Sequence, residues 1–586
     1  MENQELAKIF YHISIYLTIA NVPFKPQAYE KAALSLEALK EEVRDIYKKE
    51  GEEGLRKIPA IGAGITEKIV EYLKTGKIKD YEKMRRQMPV QIEELIKVEG
   101  IGPKIIRDLY KHLKITSLRE LEKAARERKI RKLFNFGEKT EKNILEGIAF
   151  LNRSKGRFLL DEAYFLAEEI INQLKKIREI EEISAAGSLR RMKDSIGDID
   201  LLAYIEKDKQ EVKKRVMNAF TNLKGIVKIW NKGITKSSVR FDSGIDVDLR
   251  LVKKREFGSA LQYFTGSKEH NIVVRKIALI KGLKLNEYGV FKKIKNERKR
   301  VAGKNEEEVY KMIGLPYIEP ELRENAGEVE AALKNKLPKI IGYNDIKGDL
   351  HCHSDWDGGD NSIEEMAKAA RLMGYEYIGI TDHTKFLRIE RGLDEKQLLS
   401  QHKEIQKLNS KFQILNSKFQ ILHGCEANIL EDGRLDIDDE VLRQLDYVIA
   451  GIHSQMKMHK KEMTERIIRA MKNPNVDIIS HLTGRLINKR EECEIDFDKI
   501  LSAAKKTNTT LEINAFPQRL DLKDSDVRKT VSKGVKLVIN SDAHSENQLS
   551  FMKFGIAQAR RGWATKNDII NTWSLNKLKE FFEKRI

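Results

Sequence analysis

The stretch "AGSLRRMKDSIGDIDLL", Ala186 to Leu202, decides how the central part of this chain is interpreted. It begins with a glycine–serine pair, Gly187 and Ser188, and ends in a strand-like run on which Asp198 and Asp200 alternate. Because successive side chains of a strand point to opposite faces, these two carboxylates lie on one face. Two like charges so close together are costly unless a cation lies between them. The stretch therefore predicts a bound cation.

A second strand repeats this spacing. The segment "IDVDLRLV" places Asp246 and Asp248 two residues apart, and two carboxylate-bearing strands offer the oxygen ligands that suit Mg²⁺. A pair of such ions can activate a 3′-hydroxyl and stabilise a departing pyrophosphate. An isolated Asp-x-Asp is often a turn or a surface pair. The preceding glycine–serine turn can bind a phosphate, however, and it favours a nucleotidyltransferase site.

Two segments nearer the N-terminus share one plan, in which an apolar residue precedes a glycine-containing turn and a helix. They are "IPAIGAGITEKI" (Ile58–Ile69) and "VEGIGPKIIRDLY" (Val98–Tyr110), and "LFNFGEKTEKNIL" (Leu133–Leu145) is a relaxed third copy. Glycine lets the backbone approach a ligand closely, and a helix N-terminus presents free N–H groups to a phosphate. Ordinary helix-to-helix turns are the alternative. The repetition favours helix–hairpin–helix modules that grip DNA without reading its bases. The residues predicted to contact DNA are Gly62, Gly64, Gly100, Gly102 and Lys104.

The distribution of charge supports a phosphate-rich partner. The formal net charge is +19, and residues 341–586 contribute only +1 of it, which leaves +18 in residues 1–340. A strongly basic first part suits nucleic acid, whereas a solvated surface rich in lysine and glutamate is the alternative. The chain of 586 residues is too long for one hydrophobic core, so we expect several domains.

The remaining bulk features indicate a protein of the cytoplasm. No apolar run approaches the roughly 20 residues that a membrane span needs, and the N-terminus shows no signal peptide. The three cysteines form no Cys-x-x-Cys pair, which suits a reducing compartment. We expect a cytoplasmic monomer that makes no contact with a membrane.

From Gly348 onward, short apolar strands alternate with helices, which predicts a parallel sheet closed into a barrel. Histidines and acids recur where these strands end, the first two flanking Cys352 in "GDLHCHSDWDGGD". Any one of them alone would be an ordinary structural residue. Together they form a set of ligands for Zn²⁺ or Mn²⁺, and clustered divalent ions support phosphoester hydrolysis. The set comprises His351, His353, His383, Glu426, His453, His481, Asp542 and His544.

Residues 58–288 resemble the family X DNA polymerases, the group that includes DNA polymerase β. The glycine–serine turn, the three aspartates and "YFTGSKEHN" (Tyr263–Asn271) stand in the family's order. The resemblance implies that Asp198, Asp200 and Asp248 bind Mg²⁺, and that gapped or primed double-stranded DNA and dNTPs are the substrates. It also implies a nucleotide site made of Gly187, Ser188, Arg191, Gly197, Tyr263, Phe264, Thr265, Gly266, Asn271 and Arg275.

The same resemblance bears on Lys68. A lysine at this place in the family forms a Schiff base with a 5′-deoxyribose phosphate, which requires an amine deprotonated by a cationic or apolar neighbourhood. Plain phosphate binding is the alternative for Lys68.

Residues 348–562 resemble a PHP (polymerase and histidinol phosphatase) domain, a distorted seven-stranded β/α barrel that holds two or three metal ions. The family usually places an aspartate five residues after the second histidine, where this chain has Gly358. Asp357 and Asp360 bracket that position, and either is a candidate ligand. The resemblance implies 3′→5′ exonuclease activity, together with abasic-site endonuclease and 3′-phosphatase activity.

The sequence thus predicts a multidomain protein: all-α helix–hairpin–helix domains, an α+β nucleotidyltransferase palm and thumb, and a C-terminal α/β PHP barrel. The expected function is short-gap filling in base excision repair. Another nucleotidyltransferase, or a DNA-binding scaffold with a silent barrel, is the alternative. The expected domains are 1–85 (helical, first helix–hairpin–helix), 86–155 (fingers-like, second helix–hairpin–helix), 156–258 (palm), 259–318 (thumb), 319–346 (linker) and 347–586 (PHP phosphoesterase).

Overall fold

The computed structural model describes the chain except residues 1, 38, 40–41, 97, 99–100, 134–135, 155, 206–208, 296, 415–418 and 584–586. The predicted DNA contact Gly100 lies outside the described residues. The sequence also repeats "LNSKFQI" in tandem at residues 408–414 and 415–421, and part of the second copy lies outside the described residues. The chain divides into two compact units, residues 1–155 with 488–490, and residues 156–487 with 491–586. No helix in the described ranges has the length and apolar character of a membrane span.

The described part of residues 1–155 is helical. Its helices are α1 (Glu2–Ile19), α2 (Lys25–Glu37), α3 (Val43–Arg56), α4 (Ala63–Thr75), α5 (Lys79–Gln87), α6 (Ile92–Leu95), α7 (Pro103–Leu113), α8 (Leu118–Arg126) and α9 (Glu138–Ser154). Helices α4 and α7 begin after glycines in the same extended conformation, with ψ of 177° at both Gly62 and Gly102. A Cβ on either glycine would meet nothing within 4 Å. Both turns therefore leave bare backbone ahead of a helix N-terminus.

The next region is a five-stranded sheet with helices. Its elements are β1 (Phe158–Leu159), α10 (Leu160–Leu174), β2 (Ile180–Ala185), α11 (Gly187–Arg190), β3 (Ser195–Ile196), β4 (Asp198–Ile205), α12 (Gln210–Thr221), β5 (Ile226–Lys232), β6 (Lys236–Phe241) and β7 (Asp246–Val252). The strand order is β2-β4-β7-β6-β5, with β4 and β7 parallel. Buried and partly exposed residues alternate along β7, so one face packs on the core and the other stays open.

Helices and a three-stranded antiparallel sheet follow. They are α13 (Phe257–Thr265), α14 (Lys268–Ile280), β8 (Leu283–Asn286), β9 (Gly289–Ile294), β10 (Glu297–Ala302), α15 (Glu306–Met312) and α16 (Glu328–Leu333). The segment predicted as a linker is packed rather than loose. Leu322 and Val329 are buried in the core of this region, and the Glu321 carboxylate accepts a hydrogen bond from Arg560 Nε at 2.7 Å.

The last region alternates parallel strands with helices. These are β11 (Gly348–Cys352), α17 (Ile363–Leu372), β12 (Tyr377–Ile380), α18 (Glu395–Ile414), β13 (Gln420–His423), β14 (Glu426–Asn428), α19 (Asp439–Leu442), β15 (Ile449–Gly451), α20 (Lys460–Met471), β16 (Ile478–Ile479), α21 (Phe497–Thr507), β17 (Thr510–Asn514), α22 (Asp524–Lys533), β18 (Leu537–Asn540), α23 (Met552–Arg561) and α24 (Leu575–Glu583). The sheets β11-β12-β13 and β14-β15-β16-β17-β18 are joined by parallel bridges at His383–Glu426 and Cys352–Ala543. The last strand therefore returns to the first, and the strand ends converge.

The five-stranded sheet β2-β4-β7-β6-β5 lies in the segment predicted as the palm, and it is called the palm sheet below. The palm sheet and the last region share one core. Leu520, Phe554 and Ala557 are fully buried in the same cluster as the palm residues Leu160 and Leu249. The Phe554 ring packs edge-on against Tyr164 with 5.6 Å between centroids. Helix α23 thus covers the back of the palm.

Candidate active sites

The palm aspartates lie where the sequence predicts. Parallel pairing places Asp198 opposite Asp246, and Asp200 opposite Asp248. Burial, together with the neighbouring carboxylates of Asp198 and Asp248, raises the pKa of Asp200 to about 6. Burial and then Asp248 also raise the pKa of Asp198. A divalent cation would relieve this repulsion, so these oxygen ligands fit Mg²⁺.

Asp246 is set apart from this group by partners of its own. Its carboxylate accepts hydrogen bonds from Arg240 at 2.7 and 2.8 Å and from Trp230 Nε1 at 2.8 Å. The Arg240 hydrogen bond lowers the pKa of Asp246, and the Trp230 contact acts in the same direction. Asp248 forms an ion pair with Lys236 at 2.7 Å, and no second ion pair to it is found among the described residues. Asp198, Asp200 and Asp248 are therefore the carboxylates left available for a metal.

The glycine–serine turn lies directly against this cluster. Gly187 begins α11 with φ of +62°, and a Cβ there would lie 2.7 Å from Asp200 Oδ2. A larger residue would therefore displace the metal-facing carboxylate. Ser188 follows in α11, and Gly197 directly precedes β4.

Arg191 ties this turn to the helix that follows the palm. Its Nε donates to Glu324 at 2.9 Å and its Nη1 to the carbonyl of Thr265 at 2.5 Å. A Cβ on Gly266 would lie 3.2 Å from Arg191 Nη1. The structure thus brings together three residues of the predicted nucleotide site, with Arg191 paired to Glu324.

The remaining predicted nucleotide-site residues also lie together. Tyr263 and Phe264 pack edge to face with 5.1 Å between ring centroids. Asn271 Nδ2 donates to the Tyr263 carbonyl at 2.7 Å, and Arg275 Nε donates to the Asn271 carbonyl at 3.2 Å. These contacts join the end of α13 to the first turns of α14. Arg190, which was not among the predicted residues, also contacts this group: its Nη1 donates to Thr265 Oγ1 at 2.7 Å.

In the N-terminal unit, the DNA contacts predicted from the turns are accessible. Gly62, Gly64 and Lys104 are exposed, and Gly102 is partly exposed. Lys68 differs from what Schiff-base chemistry requires. Its Nζ pairs with Asp80 at 2.6 Å and with Glu71 at 3.7 Å. The hydrogen bond to Asp80 raises the lysine pKa against a smaller opposing effect of burial. The neighbourhood is anionic, whereas the expected one was cationic or apolar.

We therefore expect Lys68 to form no trapped adduct with a 5′-deoxyribose-phosphate end. At neutral pH the ammonium beside Asp80 is protonated, so it has no lone pair for attack on an aldehyde. Borohydride trapping should label the wild-type chain no more than the Lys68→Ala variant, with nucleotide addition as the control for both proteins. An adduct that forms on the wild type and disappears in the variant would contradict this expectation.

The second cluster is centred on the buried carboxylate of Glu426. Its Oε2 lies 2.8 Å from His383 Nδ1 and 3.5 Å from His351 Nε2. Its Oε1 lies 2.9 Å from His481 Nε2 and 3.4 Å from His453 Nε2. Burial alone would raise the pKa of Glu426, but the four histidines hold it well below its usual value.

Asp542 and His544 extend the cluster on its other side. Asp542 Oδ1 lies 3.3 Å from His353 Nε2, and the His353 and His544 rings stack with 4.1 Å between centroids. His353, His383 and His544 have ligand atoms within 4.8 Å of one another. All eight predicted ligands from the strand ends thus lie in one cluster, in which His453 and His544 are partly exposed and the other six are buried.

The chemistry of these donors fits divalent metal ions. Nε2 of His351, His353 and His453, Nδ1 of His383 and His481, and Glu426 Oε2 are buried without a hydrogen-bond partner among the described residues. Such orphaned atoms are rare unless an ion or water satisfies them.

The opposite ring nitrogens are held in place. His351 Nδ1 lies 2.7 Å from Glu512 and His453 Nδ1 lies 2.6 Å from Asn428. A proton on each Nδ1 leaves the Nε2 lone pair free for a metal. Zn²⁺ and Mn²⁺ both accept such nitrogen and oxygen ligands.

The structure separates the two aspartates that bracket Gly358. Asp357 is buried, with Oδ2 2.8 Å from His353 Nδ1, whereas Asp360 is exposed. A Cβ on Gly358 would lie 2.4 Å from Glu390 Oε2. Asp357 is therefore the carboxylate that belongs to the histidine cluster.

Several residues that contact this cluster were not among the predicted site residues. Glu512 orients His351, Asn428 orients His453, and Asp382 accepts hydrogen bonds from Ser354 and Gln401. Asp382 directly precedes a predicted ligand in "ITDH" and Glu512 lies on a predicted strand. Asp382 and Glu512 therefore carry the signal that identified the histidines, a polar side chain on or just after a strand.

Comparisons with known proteins identify the domains that make up the chain. Four family models match the chain: "Helix-hairpin-helix domain" over residues 1–78, "SAM-like Helix-hairpin-helix tandem" over 92–149, "DNA polymerase beta thumb" over 260–324 and "PHP domain" over 349–516. The helix–hairpin–helix, thumb and PHP predictions are thereby confirmed.

Relatives match both the whole chain and its last region. The chain is 37% identical to "DNA polymerase/3'-5' exonuclease PolX" of Bacillus subtilis over 587 residues, which spans 100% of both proteins. It is 29% identical to a "Probable phosphatase" of Thermoanaerobacter sp. over 252 residues, 40% of this chain and 94% of the relative. A "Probable phosphatase" of Acetivibrio thermocellus is 31% identical over 205 residues, 33% of this chain and 78% of the relative. The full-length match to a polymerase/exonuclease and the matches to the thumb and PHP models show the family. The chain belongs to the family X DNA polymerases that carry a C-terminal PHP domain.

Proposed function

We propose that this protein is a DNA-directed DNA polymerase with a metal-dependent 3′→5′ exonuclease in the same chain. The observation that carries the proposal is the presence of a carboxylate cluster on paired strands and a separate histidine-rich cluster in a chain that matches a polymerase/exonuclease over its full length. The palm cluster consists of carboxylates alone, whereas the second cluster is rich in histidine. Two different chemistries therefore have separate sites.

In the palm, Asp198, Asp200 and Asp248 would hold Mg²⁺, which supplies positive charge to the reacting phosphates when bound. Asp200 is kept in place against Gly187. The residues near Tyr263 and Asn271 are proposed to contact the sugar and base of a dNTP, and the exposed glycine turns of the first unit to contact the phosphates of a gapped or primed duplex. The described residues therefore provide for nucleotide binding, DNA binding and charge neutralisation.

In the histidine cluster, His351, His353, His383, Glu426, His453, His481, Asp542 and His544 would hold two or three Zn²⁺ or Mn²⁺ ions. Such ions lower the pKa of bound water and provide hydroxide near neutral pH. Glu512 and Asn428 keep the His351 and His453 rings oriented. We also propose abasic-site endonuclease and 3′-phosphatase activity at this cluster, and a role of the protein in base excision repair. We propose that the protein acts as a monomer.

A primer extension assay on a one-nucleotide gap tests the polymerase. We expect addition of one deoxynucleotide with Mg²⁺ and much weaker addition of the ribonucleotide, because Tyr263 and Phe264 are proposed to line the sugar pocket and exclude a 2′-hydroxyl. The measurement compares dNTP and rNTP incorporation on the same gapped duplex. Equal use of both nucleotides would favour a different nucleotidyltransferase.

A further inference from the structure

One arginine reaches the histidine cluster. Within the described residues, Arg519 is the arginine or lysine that pairs with one of the buried carboxylates Glu426, Asp542 and Asp357, its Nε lying 3.6 Å from Asp542 Oδ2. Its side chain is 23% exposed, whereas that of Asp542 is 7% exposed. Arg519 therefore stands at the rim, between the predicted metal ligands and solvent.

The guanidinium of Arg519 has unused donors. Apart from the ion pair with Asp542, its side chain makes no hydrogen bond to any residue that the structure describes. A guanidinium carries five N–H groups in a planar fork, and that fork matches two oxygens of a phosphate. Arg519 can therefore keep its contact with Asp542 and still bind an anion.

The loop that carries Arg519 is fixed from both sides. Arg485 Nε donates to the Arg519 carbonyl at 2.8 Å and Arg485 Nη2 to the Leu520 carbonyl at 2.5 Å. Leu520 is fully buried in the core shared with the palm. Asn514 Nδ2 donates to Asp542 Oδ2 at 2.9 Å. The position of Arg519 is thus set before any substrate binds, which lowers the cost of ordering it.

The structure assigns Arg519 to the phosphate of the ester that this cluster hydrolyses. This assignment rests on the proposed hydrolytic function. A DNA phosphodiester is an anion, and the cluster contains several carboxylates. Their negative charge opposes binding of the phosphate unless positive charge offsets it. Arg519 adds a positive charge and directional donors at the open side, and so binds the phosphate in the ground state and in the transition state.

The test uses the full chain loaded with Mn²⁺ and a duplex with a recessed 3′ end. The variants are Arg519→Ala and Arg519→Lys, with Arg434→Ala as the matched control, since Arg434 is 78% exposed and pairs with Asp432. For Arg519→Ala we expect kcat/KM for hydrolysis to fall about ten- to hundredfold, the range for hydrogen bonds to charged groups. The inhibition constant of inorganic phosphate should rise by a similar factor. Arg519→Lys should lie between the two, and Arg434→Ala should match the wild type.

Two further measurements separate substrate binding from damage to the site. Bound metal, counted by mass spectrometry, and gap filling by the palm should both stay at the wild-type level in Arg519→Ala. Unchanged phosphate inhibition, or a loss of metal that parallels the loss of activity, would overturn the assignment while leaving the hydrolase intact. A metal-loaded wild type that degrades no 3′ end would overturn the hydrolase proposal and the assignment together.

Discussion

We expect replacement of Asp200 with asparagine to lower nucleotide addition by at least about a thousandfold and to leave 3′-end hydrolysis within about twofold of the wild type. The amide has the size of the carboxylate, so the contact with Gly187 survives, but the charge that attracts Mg²⁺ is lost. Removal of a single electrostatic contact in other enzymes costs up to about a thousandfold, and a metal ligand contributes more than one such contact. Primer extension and exonuclease assays on the same preparation measure both rates.

Asp246→Asn is the matched control for this change. Asp246 lies two residues before Asp248 on the same strand, β7, and therefore on the same face. Its carboxylate oxygens, however, accept hydrogen bonds from Arg240 and Trp230. We expect this variant to keep nucleotide addition within about tenfold of the wild type, because the lost charge lies outside the metal-facing group. An Asp200→Asn protein that still extends a primer at the wild-type rate would refute the polymerase assignment.

The opposite separation is expected for His351→Gln combined with His353→Gln. Both rings are fully buried and both present an unpartnered Nε2 to the cluster. Their loss should remove bound metal and reduce 3′-end hydrolysis by about a thousandfold or more, because the bound water is then no longer activated near neutral pH. Gap filling should remain, since the palm aspartates are untouched. Metal counting and the two activity assays measure this outcome.

The matched control here is His459→Ser. His459 is exposed and caps helix α20 by accepting a hydrogen bond from Lys461 N, and serine offers an oxygen for the same cap. Metal content and both activities should stay unchanged. If the double histidine variant retained full metal and full hydrolysis, the histidine cluster would have no part in the reaction.

Spacing along the chain predicted the faces and strand ends correctly, because these depend on local geometry. The period of two puts Asp198 and Asp200 on one side, and parallel strands bring their ends to one edge, which gathers His383 and His481. Local geometry does not fix partners that lie on other strands or helices. Arg240 and Trp230, which donate hydrogen bonds to Asp246, and Asp80, which pairs with Lys68, are examples.

The same limit explains Asp357 and Asp360. In the sequence both stand equally well beside Gly358, and only the course of the loop shows that Asp357 turns inward to His353. Arg485 is a further case. Its place in the sequence does not reveal its partners, whereas the structure holds its side chain at 10% exposure, bonded to backbone carbonyls and to Asp194. Burial of this kind depends on packing between domains.

The core that helix α23 shares with the palm has a consequence for how a DNA end changes sites. Phe554 and Ala557 fill the palm interior, so a chain cut ahead of the PHP region would leave an apolar hole in the polymerase. The two reaction centres are accordingly anchored to one frame. A mispaired terminus would therefore reach the histidine cluster by its own movement and not by rotation of the PHP region, since the shared core holds that region against the palm.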